Sequence, residues 1–376
     1  VSGASARSAP AARAPSVSRM TDHTAHHHPT DTTGTTHITD TTGTLDEALE
    51  RIHLSGPERN GWLSNHAPMA AEALVRHGQA AAVHRWLDQY RPKLEDMPDP
   101  REPVTDRNWP EALGDPRRIA DWTRYFERET AERPWRTVLA AWWPRLLPGI
   151  AAGATHAVIR VGHSVRTLLE GEETAPRVRE LAHALGYWAA RHQPLPALER
   201  LAPAPDAMAA LDRVPPVAEQ DGGIVSRFDQ LTGFPDWPGQ EPGGPEAART
   251  ALRELVRAAT HRYATHGYGQ PVMLVHAATA PNAVLRTLPA LPGALWVPSL
   301  HAAWAASAAV TAAYAPRGAA PLAEPLTARE AQDVFARAAA HGDDHTIKFT
   351  DTALDVGDAT ALIAAGRAIA LNPPVW

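Results

Sequence analysis

Residues 338–355 read AAAHGDDHTIKFTDTALD. The pattern predicts a helix over His345–Leu354, with Asp343 and Asp344 at its start. An aspartate there can cap the helix or accept the proton of an imidazole nitrogen. On that helix His345 and Lys348 share one face, with Cβ atoms roughly 5–6 Å apart. Side by side, two cations would repel. The pair makes sense when one or both bind something. A buried lysine is costly unless it is paired, neutral or chemically changed. Lys348 is therefore a general base, a carbamate ligand formed with carbon dioxide, or a lysine whose ammonium snorkels to solvent. Spacing alone does not choose among these.

Working outward, apolar periodicity predicts helices over Leu45–Ile52, Pro68–Val75, Ala80–Tyr90, Arg118–Glu132, Pro134–Trp143, Gly149–Leu169 and Thr174–Arg191. Further helices are expected over Glu246–Thr265, Ser299–Ala315, Thr327–Ala339 and Asp358–Ala368, and Val272–Val284 holds a further histidine-bearing segment. Thr44 and Glu47 read as a capping box. Alternating β-branched runs are scarce, so the fold class is all-α: one large, mostly helical domain around a central metal and substrate cavity. A minor hairpin is expected near Gly223–Phe228. Residues 1–40 are rich in Ser, Thr, Ala, His and Pro without apolar period and read as a disordered tail. Residues 41–376 form the domain, interrupted by a Pro/Gly-rich excursion over 193–240.

The chain of 376 residues contains no cysteine, which excludes disulfides, thiolate nucleophiles and cysteine-ligated metals. A metal would have to sit on histidine or carboxylate, donors that suit iron, manganese or zinc. The net charge of −6 argues against nucleic acid and anionic membranes as partners. The 297–315 stretch is mostly alanine and includes His301 and Trp304, which fits a buried helix better than a membrane span. The start of the chain lacks an apolar signal-peptide core, and a cytoplasmic location is expected. Dinucleotide, P-loop, nucleophile-elbow and HExxH signatures are missing.

Several histidines recur in small-residue surroundings. In THAVIRVGHSVR (155–166), His156 and His163 share a helix face about 10.5 Å apart. Direct ligation of one metal by both is strained; one as ligand and the other as substrate contact is easier, as is a capping role for both. Arg160 and Arg166 on neighbouring faces could anchor carboxylates or substrate oxygens. His66 stands at a helix start beside Asn65, suited to a cap or a ligand. His276 lies among small residues in VHAATAPN (275–282), open to cofactor approach or to close helix packing. His301 reads as a substrate contact or a satisfied core histidine. Trp62, Trp142, Trp188 and Trp304 are candidate walls for a flat ligand, or core aromatics.

Taken together, GWLSNHAPMAAEAL (61–74), DWTRYFERETAERPWRTVLAAWWPRLLPG (121–149), ATHAVIRVGHSVR (154–166), ELAHALGYWAARHQPLP (180–196), VHAATAPNAVLRTLP (275–289) and DDHTIKF (343–349) resemble the questin oxidase-like family. The resemblance implies oxidative ring opening, or Baeyer–Villiger-type oxygen insertion, on an anthraquinone-like aromatic polyketide. It implies a non-haem Fe(II) held by four histidines and a carboxylated lysine, with dioxygen and a small aromatic substrate as partners. Carried onto this chain, the metal ligands are His345, carboxylated Lys348, His66, His156 and His276. His163, Arg160 and His301 are then the catalytic contacts and the four tryptophans the substrate walls. The family's associated NADPH finds no dinucleotide fingerprint here and would act indirectly, by reducing the quinone. Two other classes compete: a metal-dependent hydrolase using the carboxylated lysine, and a non-enzymatic helical module for an aromatic ligand.

Overall fold

The computed structural model describes residues 43–375, and over them the chain is predominantly α-helical with only small β elements. The sequence reading of a tail over 1–40 lies outside the described residues. Most expected helices form within a few residues of their predicted limits. Ala67–Arg76 opens with proline in its first turn, where the missing N–H costs nothing. Thr44–Ile52 takes Gly43 as its N-cap, without the expected side-chain capping box.

The helix His156–Glu170 lies at the centre. It packs on Ala67–Arg76, Ala175–Ala190 and His276–Thr287. The last of these also meets Pro245–His266, Trp296–Tyr314 and Asp344–Val356. Close approach of the His156 and His276 helices requires a glycine at Gly162, because a Cβ there would stand 2.5 Å from the Cβ of Ala283.

Three expectations need correction. The helix predicted from Gly149 begins at His156, because Gly153, Ala154 and Thr155 all adopt left-handed backbone, with φ of 53, 57 and 68°. That conformation is costly for residues with a Cβ and cannot continue a right-handed helix. The helix expected over Thr327–Ala339 divides into Ala328–Gln332 and Val334–His341. The hairpin lies at Glu58–Arg59 and Leu63–Ser64, immediately before His66, while Ile224–Phe228 is a short helix. Positive φ at Asn60 and Gly61 makes that hairpin's turn.

The 193–240 excursion is held by a parallel pair, Glu199–Leu201 with Gly233–Pro235. Its Leu211, Phe228, Phe234 and Trp237 are buried within the main apolar core, and Trp237 meets Trp304 edge-on at 6.3 Å. No helix of the described residues is long and apolar enough to cross a membrane.

Candidate metal centre

Four helices bring His66, His156, His276 and His345 together. His66 is the N-cap residue of Ala67–Arg76, and His156 and His276 are the first residues of their helices. His345 follows Asp344 in the first turn of Asp344–Val356. All four are buried. The rings of His66 and His156 stack at 4.2 Å, His66 meets His345 edge-on at 4.6 Å, and His156 meets His276 at 4.4 Å. His66, His156 and His345 each place a ligating atom within 4.8 Å of the others. His276 joins the group through His156, Nε2 to Nε2 at 2.9 Å.

The outer nitrogens decide the inner ones. His156 Nδ1 is 2.5 Å from the Gly153 carbonyl oxygen, and His276 Nδ1 is 3.0 Å from that of Met273. Asp344 Oδ1 lies 2.7 Å from Nδ1 of both His66 and His345. Carbonyl and carboxylate oxygens only accept, so each Nδ1 carries the proton. In a neutral ring Nε2 is then a lone pair. Burial lowers His156 and His276 well below their ordinary pKa, aided by neighbouring histidines and Lys348. Burial also pushes His66 down to about 3, with Asp344 opposing. Burial alone would raise Asp344, but the two imidazoles outweigh it and hold the carboxyl well below its usual range. The consistent state is an ionised Asp344 accepting from both imidazoles, with His66 neutral.

That state leaves two lone pairs, His156 Nε2 and His276 Nε2, facing each other at 2.9 Å. Two nitrogens on one ion, at about 2.0–2.1 Å and near a right angle, stand about 2.9 Å apart. His66 Nε2 is buried without a hydrogen-bond partner, and so is Lys348 Nζ. Lys348 is 1% exposed, which removes the snorkelling alternative. Burial lowers its pKa to about 8, against the pull of Asp344 and Asp343. Asp343 is the helix cap, accepting from the backbone N–H and hydroxyl of Thr346, each at 2.8 Å. The paired aspartates thus divide the two roles open to them. Imidazoles oriented by carboxylate and carbonyl acceptors are the usual support of a metal site, and the donor set fits a metal ion.

Residues 63–212 match the questin oxidase-like family model. The match covers less than half of the chain and supports the resemblance to that family. It supports an oxidative enzyme related to aromatic polyketides, and the clustered histidines support a bound metal. The matched segment holds His66, His156 and His163 but ends before His276, His345 and Lys348, which reach the cluster through the fold. A search of the curated proteins finds no match.

The other site candidates stand elsewhere. His163 points its Nδ1 at Glu72 Oε2, 2.6 Å away, in a separate buried charge network. The guanidinium of Arg160 is held by both oxygens of Glu180, at 2.6 and 2.8 Å. With Glu72 and Glu180 they line a cavity of about 10 Å³, close to room for one water. His301 is exposed and bonds the Gln240 carbonyl at 2.7 Å; the structure does not bring it to the histidine cluster. Trp142 is enclosed by Trp109, Trp122, Tyr125 and Phe126, and Trp188 packs edge-on against Trp143. Trp304 is buried against Trp237, and Trp62 is 61% exposed on the hairpin. Among the described ring contacts, none joins these four to the cluster histidines. The sequence reading passed over Glu72 and Asp351. The signal for Glu72 was a carboxylate inside the otherwise apolar stretch PMAAEALV, whereas Asp351 stands in the more polar IKFTDTAL, three residues after Lys348.

Proposed function

We propose that this chain is a non-haem iron oxygenase acting on a polycyclic, anthraquinone-like aromatic polyketide, by ring opening or Baeyer–Villiger-type oxygen insertion. The observation carrying this reading is the inward convergence of imidazole lone pairs beside a buried, unpartnered Lys348. His66, His156, His276 and His345 would hold the metal, with a carboxylated Lys348 as the anionic ligand. Bound iron would supply the activation of dioxygen.

The residues provide the rest. Asp344 fixes the tautomer of His66 and His345 and balances positive charge within a site that excludes water. Lys348, with its lowered pKa, is about one-tenth free amine at pH 7. That amine's lone pair forms a bond to the carbon of carbon dioxide and the nitrogen loses one proton to solvent. The product is a carbamate anion, which removes the cation from among the histidines. NADPH, where used, would reduce the quinone rather than dock in this chain. His163 and Arg160 serve the surrounding scaffold in this reading, because their polar atoms are committed to carboxylates.

The test is anaerobic loading with Fe(II), followed by oxygen consumption with a hydroquinone of an anthraquinone. Support would be one bound equivalent of iron and substrate-dependent oxygen uptake that Lys348→Ala abolishes. Uptake unchanged in Lys348→Ala would remove the role given to the lysine.

A further inference from the structure

A second buried constellation lies one to three turns from the histidines along the same four helices. Glu72 belongs to the helix that His66 caps, and His163 and Arg166 to the helix that begins at His156. Asn282 and Arg286 lie on the helix begun by His276, and Asp351 and Asp355 on the helix of His345 and Lys348. Arg166 is the hub. Its Nε donates to Glu72 Oε1 at 2.9 Å, and its two terminal nitrogens donate to Asp351 at 3.0 Å each. One of these also reaches Glu72 Oε2. Arg286 donates to Asp351 at 2.7 Å and to Asp355 at 2.8 Å, while Asn282 donates to Asp355 at 3.0 Å. Glu72, Arg166 and Asp351 are 6, 3 and 0% exposed.

Glu72, His163 and Asp351 also have the spacing of a metal triad. Arg166 already donates to both carboxylates, so the geometry favours an ion-pair network over a second metal. Buried ion pairs add little net stability but penalise any arrangement that parts them. A network with a member on every ligand-bearing helix therefore penalises sliding or rotation of any one of them. Apolar packing alone would tolerate such shifts more readily between alanine-rich faces.

We infer that this network is a clamp that sets the four ligand-bearing helices against one another, with Arg166 as its positioning residue. The clamp rests on the metal reading only for what it positions. Lysine at 166 keeps the charge but cannot span Glu72 and Asp351 with a planar fork.

Two measurements test it, on Arg166→Lys and on Arg286→Lys, which keeps the charge at the network's less buried rim. The first is anaerobic titration with Co(II), read by its visible absorption. The expected result is a 10- to 100-fold loss of Co(II) affinity with an altered spectrum, while the remote core variant Val138→Ala keeps both. The second is hydrogen exchange on the metal-free protein, where the clamp predicts faster exchange in all four helices together. If Arg166→Lys does not fold, Arg286→Lys decides both measurements. Wild-type affinity, spectrum and exchange in a folded variant would overturn the clamp. A wild-type protein that takes up no Co(II) would count against the metal reading, and the exchange result would still decide the clamp.

Discussion

His156 and His276 face each other through Nε2 at 2.9 Å, although each already donates its Nδ1–H to a backbone carbonyl. Two neutral imidazoles cannot share a hydrogen bond in that state. A cation relieves the repulsion, and a metal ion does so without charging either ring. The left-handed run Gly153–Thr155 serves this geometry, since it turns the Gly153 carbonyl back onto the His156 ring. Local strain at such a point is common where a site is pre-organised.

Asp344→Asn should weaken metal binding by about 10- to 100-fold while the protein stays folded. The amide lacks the charge that holds two imidazole protons at one oxygen. Anaerobic calorimetric titration with Fe(II) measures it; unchanged affinity would show that Asp344 does not support the ligands.

Lys348→Met should abolish tight metal binding yet stabilise the metal-free protein. The folded state penalises the ammonium form, because burial lowers its pKa from 10.5 to about 8. The penalty is full below about pH 8 and disappears above 10.5. A gain of roughly 1–3 kcal/mol is expected at pH 7, visible as a higher thermal midpoint. The difference from wild type should shrink as pH rises through 8–10.5.

The metal-free protein should lose stability steeply as pH falls below 6.5. His66, His156 and His276 have folded pKa values below that of an unfolded histidine, so their neutral burial is uncompromised above 6.5 and increasingly costly below it. Glu72 titrates at about 2 and contributes to acid loss only below about 4.5. His276→Asn should flatten the slope of thermal midpoint against pH between 6.5 and 5.

Gly162→Ala should part the His156 and His276 helices. The added methyl meets the Ala283 Cβ at 2.5 Å, a contact that backbone must relieve. Overpacking of this kind costs about 1–3 kcal/mol. Denaturant unfolding would register it, and metal affinity should fall with it.

Much of this was legible in the chain. Helical periodicity located most of the elements, and the DDHTIKF segment placed His345 and Lys348 on one buried turn. Other features depend on tertiary structure. The 149–155 stretch leads into a helical pattern, but its backbone turns left-handed at Gly153–Thr155, where Tyr187 and Ser64 leave no room for a Cβ on Gly153. The tryptophans carry large apolar surface whether they line a cavity or fill a core. Trp142 and Trp188 fill the core. His163 shares a helix face with His156, but Glu72 draws it into the clamp.

Iron K-edge X-ray absorption on the anaerobically Fe(II)-loaded protein tests the central claim most directly. The account predicts one tightly held iron whose first shell shows about four imidazoles and an added oxygen, and no tightly held iron in Lys348→Met. Iron retained with no more than one imidazole, or washed out with a spectrum like that of hydrated Fe(II), would contradict it.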